Sequence, residues 1–257
     1  GLGLLGSGAV ASTDRVPQML QEAVREYSEA LDAREPDLRS ERFRRAQRLF
    51  RQVIVEQRVE NADLYVNLGN AALQAEQVGS AIHAYRRALS IDPGHGRGRR
   101  NLGHARQLLP DWVPRPGSQT LLDTFFFWHQ TLSRSARALA ASLCFAIAAV
   151  LWAVAIRWKR PWARSASLLP AIVWLGLAGY LLVGGTAEEA VVTAPQVWAR
   201  AADSAGAPPR FAEPLPGGTE VQIIERRGDW VRIGLADGRD AWVRASGLSA
   251  VTAPRSF

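Results

Sequence analysis

The chain is short of most of what catalysis and metal binding require. Its one cysteine, Cys144, sits inside a hydrophobic run. An intrachain disulfide and a CxxC metal or redox pair are therefore excluded. The four histidines, His83, His95, His104 and His129, are scattered without metal-ligand spacing. Gly94-His95-Gly96-Arg97-Gly98 is glycine-rich but lacks the Gly-Lys-Ser/Thr of a phosphate loop, and reads as a turn between helices. Gly6-Ser7-Gly8 does not fit the five-residue nucleophile elbow. Glu188 and Glu189 are sequence neighbours, not a convergent carboxylate pair. The expectation is a protein with no catalytic residues, no metal and no cofactor, and thus not an enzyme. Lysine is nearly absent too, yet arginine brings the net charge to +7. That charge is spread over helix faces and one short link rather than gathered in a patch, which argues against nucleic acid and for anionic lipid headgroups near the link.

What is abundant is uncharged sequence in the middle. Ala138 to Ile156 carries no charge over nineteen residues, and Ser165 to Ala187 none over twenty-three. A bilayer core of about 30 Å needs about 20 apolar residues at 1.5 Å each. Neither run shows a polar stripe, so a buried hairpin in a soluble domain is the weaker alternative. Residues 136–187 are expected to form a two-helix transmembrane hairpin, with spans 138–156 and 165–187. The link, 157–164, holds Arg157, Lys159, Arg160 and Arg164. Basic short loops stay in the cytoplasm, so both flanking parts face outward. Residues 111–135 contain Phe125-Phe126-Phe127-Trp128 and read as an aromatic lead-in lying on the bilayer. Residues 1–11 end in Ala9-Val10-Ala11, similar to a signal peptidase site, and are expected to be a signal-peptide remnant.

Residues 13–110 are helical in pattern. Met19, Ala23, Tyr27, Ala30 and Leu31 recur at helical spacing; after Pro36 come Phe43, Ala46, Phe50, Val53 and Ile54. Arg42, Arg44, Arg45, Arg48 and Arg51 then form a solvated face. Next, Tyr65, Leu68, Gly69, Ala81, Tyr85, Ala88 and Pro93 fall in one 34-residue frame, and Leu102-Gly103 follows Leu68-Gly69 at that period. This resembles a tetratricopeptide repeat. Gly69 lets two helices approach, Ala81 and Ala88 keep them tight, and Asp92-Pro93 ends the second. The resemblance implies stacked helix pairs with a concave surface for a peptide or partner helix. In that frame Asp63, Asn67, Asn70, Gln74, Arg97, Asn101 and His104 point into the groove. Asn and Arg there can hold a peptide carboxylate; the same positions read equally well as solvated polar residues.

Beyond the hydrophobic runs, over residues 190–257, the period changes to two. Val221 and Ile223, then Trp230, Val231, Ile233 and Leu235, then Ala241, Trp242 and Val243 lie in short runs. Arg227-Gly228-Asp229 and Ala236-Asp237-Gly238 separate them as turns. Ahead of them, Glu188 to Gln196 reads as a linker or a first strand. This resembles a bacterial SH3-like barrel, with Arg200-Ala201 in its first strand. Trp230 and Trp242 either stack on sugars or peptides or cap the barrel core.

The fold class expected is thus multidomain α + β: helical tetratricopeptide repeats, a two-helix transmembrane hairpin and a small all-β SH3-like barrel. The order of parts resembles the tetratricopeptide proteins of bacterial aerotolerance (Bat) operons, the BatE type. That resemblance rests on Leu64-Tyr65-Val66-Asn67-Leu68-Gly69-Asn70, Ala81 to Pro93, Asn101-Leu102, and the hairpin followed by a barrel. It implies an inner-membrane scaffold with periplasmic domains, protein partners of the von Willebrand A-domain membrane type, and a MoxR-type ATPase in the same system. A second expectation is a barrel that binds peptidoglycan or wall peptides.

Overall fold

The computed structural model describes residues 10–57, 60–116, 134–183 and 188–251. These form two compact units. One is the helical array together with the C-terminal barrel. The other contains the two apolar helices.

The array has five helices: α1 (Val10–Asp32), α2 (Pro36–Gln57), α3 (Ala62–Gln74), α4 (Val78–Ile91) and α5 (Gly96–Gln107). Residues 1–9 of the expected signal remnant lie outside the described residues, while Val10 and Ala11 open α1. Pro36 is the first residue of α2, where its missing N–H costs nothing. Asn61 caps α3 by accepting from the Leu64 N–H at 3.1 Å. Asp92 accepts from the Gly94 N–H at 2.9 Å and turns the chain toward α5. Consecutive helices pack as pairs around Phe50, Val66, Ala72, Ala81, Ile82, Tyr85 and Ala88, all buried. Gly69 is needed for its size: a Cβ there would meet the Tyr85 ring at 2.5 Å. The arginine face of α2 is less solvated than its sequence implies. Arg42 and Arg45 cross to α1 and pair with Glu26, a carboxylate 6% exposed, at 3.3 and 3.1 Å.

The barrel has seven strands: β1 (Glu188–Val192), β2 (Gln196–Val197), β3 (Leu215–Pro216), β4 (Glu220–Arg227), β5 (Trp230–Gly234), β6 (Asp240–Arg244) and β7 (Leu248–Ala250). The main sheet runs β6-β5-β4-β1-β7, every neighbour antiparallel, with β2-β3 as a separate pair. Gly228 and Gly238 take positive φ, 53° and 84°, at the two expected turns. The first strand is β1, inside the Glu188–Gln196 segment that reads as a linker or a first strand, and the Arg200-Ala201 segment is not that strand. Glu188 at its start is satisfied by Arg226 at 2.7 Å on the neighbouring strand. Arg200 instead makes isolated bridges to Trp242 and Pro209.

The other unit holds α6 (Arg134–Arg157) and α7 (Pro161–Val183), packed together with Phe145 and Trp174 ring centres 5.2 Å apart. Its connecting link is shorter than expected, because helix resumes at Pro161 and takes in Arg164. Leu139, Leu143, Phe145, Val150, Leu169 and Ile172 are all exposed. Among the described residues one helix, Ala138–Arg157, is long and apolar enough to cross a membrane. Phe125 to Trp128 lie outside the described residues.

Candidate functional site

Among the described residues, the helical array and the barrel each carry an open cavity. The first, about 300 Å³, is lined by Tyr27, Asn70, Leu73, Gln74, Tyr85, Asn101 and His104. Its floor is a hydrogen-bonded cluster. The Asn70 Oδ1 accepts from the Tyr85 hydroxyl at 2.9 Å and from the Asn101 Nδ2 at 2.8 Å. Burial pushes the Tyr85 hydroxyl well above its ordinary value, so it stays protonated and donates. With both lone pairs of Asn70 engaged, its amide hydrogens and the Asn101 oxygen are the groups left to face a ligand. No carboxylate or arginine lines this cavity. Its chemistry suits neutral amides, as in a peptide main chain.

Four of the seven expected groove residues, Asn70, Gln74, Asn101 and His104, come together here. Asp63 and Arg97 do not join them. They pair with one another, and His95 Nε2 lies 3.1 Å from the same Asp63 oxygen. Those hydrogen bonds, His95's foremost and then Arg97's, hold the Asp63 carboxyl below its ordinary range. Arg97 thus pairs with Asp63 and does not line the cavity. Asn67 is half-buried on α3 and does not line the cavity. Tyr27, from the divergent upstream helix, completes the wall; its place was hidden because α1 carries no repeat motif.

The second cavity, about 320 Å³, is on the barrel, lined among others by Trp198, Arg200, Trp230, Arg244 and Ser246. Trp198 is 50% exposed. The Arg244 guanidinium lies 5.0 Å from the Trp230 ring centre. No acidic residue lines it. Of the two tryptophans expected at a ligand surface, Trp230 is in this cavity. Trp242 is 8% exposed, covered by Arg227 at 5.0 Å, and exchanges two backbone hydrogen bonds with Arg200 at 2.7 and 2.9 Å. Its position closes the barrel. Trp198 was missed because it follows a two-residue strand with no alternation to mark it.

Two family models each match a short stretch of the chain. Residues 62–95 match the family model of the tetratricopeptide repeat, and residues 215–249 that of the bacterial SH3 domain. No curated protein and no solved structure matches the chain. The chain therefore carries a unit of a protein–protein interaction type and a unit of a type suggestive of cell-wall binding, both typically non-catalytic. The barrel extends the matched region upstream, since β1 supplies a central strand of the sheet.

Proposed function

We propose that this protein is a non-enzymatic, membrane-anchored scaffold. Its array captures a protein partner and its apolar helices hold the complex in a bacterial inner membrane. The hydrogen-bonded floor of Asn70, Tyr85 and Asn101 in an open groove carries this reading. Stacked helix pairs present such concave surfaces to extended peptides, and a floor without charge favours main-chain amides over free carboxylates. The two spans, the basic cytoplasmic link and the periplasmic placement of array and barrel follow from the hydropathy and the loop charges. The resemblance to BatE-type proteins supports von Willebrand A-domain membrane proteins as partners, in a system with a MoxR-type ATPase. The test is a photo-crosslinking residue in cells at Gln74, on the groove rim, or at Arg48, on the exposed face of α2. An adduct with a von Willebrand A-domain membrane protein from Gln74 and not from Arg48 supports the proposal. Equal adducts, or none from Gln74, contradict it.

A second reading is favoured by the barrel cavity. Two indoles and two guanidiniums, of which Arg244 has Asp229 at 3.9 Å and Arg200 donates to the Ala207 carbonyl oxygen, suit a sugar-linked or free peptide bearing carboxylates, as in peptidoglycan. Full-length protein in detergent then sediments with purified sacculi, and Trp198→Ala abolishes this. Sedimentation unchanged by Trp198→Ala removes the barrel cavity as the site.

A further inference from the structure

The array and the barrel are separated by the whole apolar segment in sequence, yet they meet across a closely packed surface. Val191 and Val251 of the barrel belong to the same buried cluster as Ile82, Leu109 and Val113 of the array. Trp112 packs against both this cluster and the barrel's own core. At the closest approach each side presents a glycine. A Cβ on Gly79 of α4 would meet the Val192 carbonyl oxygen at 2.7 Å. A Cβ on Gly218, whose φ is +105°, would meet Ile82 at 2.9 Å and Leu109 at 3.0 Å. Backbone rests on helix with nothing between.

Around this centre lies a polar frame. Glu220, 6% exposed in its side chain, receives Arg106 through two bonds at 2.7 and 2.8 Å and Arg86 at 3.1 Å. The Arg86 guanidinium also reaches Glu189. His83 lies 2.9 Å from the Ala250 carbonyl oxygen, and Arg87 donates to the Val251 carbonyl oxygen at 2.8 Å. Four side chains from two helices thus satisfy the β1 and β4 carboxylates and the carbonyls at the end of β7. A buried carboxylate without such partners would be costly.

We infer that the barrel is the C-terminal cap of the helical array, and that the two make one folding unit. A repeat array needs a terminal element to cover its last apolar face. Barrel residues 188–192 and 217–220 cover α4 and the end of α5. The array is short, roughly two and a half repeats where about three are usual. A barrel of this size likewise has a small core of its own. Each supplies what the other lacks.

The test is hydrogen exchange of the full chain in detergent micelles, read by mass spectrometry through increasing urea. Peptides from α4 and from β1 and β4 should lose protection at the same urea concentration. Gly79→Ala discriminates by sign. In a helix exposed to solvent the change is stabilising, because alanine is the better helix former. Against the Val192 carbonyl it forces the domains apart, and exchange in β1 should quicken about tenfold. Glu220→Ala should quicken α4 and β4 together, while Glu213→Ala, at an exposed site, changes neither. Barrel amides still protected after α4 has opened, or slower exchange in Gly79→Ala, overturn the inference.

Discussion

Gly69→Ala is the sharpest perturbation of the array. The added methyl would lie 2.5, 2.7 and 3.0 Å from three atoms of the Tyr85 ring. Carbon atoms in good contact sit about 3.5–4.0 Å apart, so the ring must retreat by about 1 Å. Tyr85 is 0% exposed, so the ring retreats only by displacing the residues packed on it or by pushing its edge toward the cavity that it lines. Overpacking of this kind costs about 1–3 kcal/mol. A shift of that size also stretches the 2.9 Å bond from the Tyr85 hydroxyl to Asn70, worth about 1 kcal/mol. Opposing both, Gly to Ala in a helix gains about 1 kcal/mol. The net expectation is a loss of about 1–3 kcal/mol, together with a disturbed groove floor. The assay is the urea midpoint of the full chain in detergent, by far-ultraviolet circular dichroism. Tyr85→Leu in the same chain removes the ring, so the double variant should lose less than the sum of the two single losses. A Gly69→Ala chain as stable as its parent, or more so, would refute the close helix contact.

Other perturbations separate the roles of individual groups. Burial is the main cause that lowers the pKa of His83; the neighbouring Arg87 and Arg51 add to it, and the bond to Ala250 opposes it. A folded value below the unfolded one, near 6.5, means the unfolded chain binds more protons, so this part of the stability is full above that pH and declines as pH falls below it. Protection at the α4–β7 contact, with the intrinsic pH dependence of amide exchange divided out, should therefore be lower at pH 5.5 than at pH 7.5, and His83→Gln should remove that difference. Trp242→Ala opens a core position and should cost about 3–5 kcal/mol, whereas Trp198→Ala at an exposed site should stay within about 0.5 kcal/mol, both by urea midpoint. In a Cys144→Ser background, cysteines at Asp111 and Ala202 should both react with an impermeant maleimide from outside spheroplasts, and one at Lys159 only after permeabilisation. Protection of either of the first two would contradict an array and barrel on one face of the membrane.

The repeat was legible because its physics is local and periodic. Gly69 against Tyr85, and Ala81 and Ala88 inside the pair, are demanded by a spacing that sequence displays. The barrel turns were legible for a similar reason, since Gly228 and Gly238 occupy backbone conformations that few other residues accept. The barrel's first strand was half legible: Glu188–Gln196 reads as linker or strand, and the partners of Glu188 and Glu189, Arg226 and Arg86, are too remote in sequence to decide between them. The joint was hidden more deeply. Glu220 and Arg106 stand 114 positions apart, and Gly79, Val191 and Val251 look ordinary where they occur. Groove residues were half legible. The repeat frame points side chains inward, but it does not reveal that Asp63 engages Arg97 and His95, or that Tyr27 supplies the missing wall.

The measurement that bears most directly on the scaffold reading is co-purification of the tagged full chain in detergent, compared with a chain carrying Gln74→Glu and His104→Glu. Both positions are exposed on the groove rim, so the substitutions leave the fold intact while placing charge where the cavity has none. Stoichiometric von Willebrand A-domain membrane proteins are expected with the parent chain, and their loss from the variant. Recovery of the parent chain alone, or of the same partners with both chains, would contradict the scaffold reading.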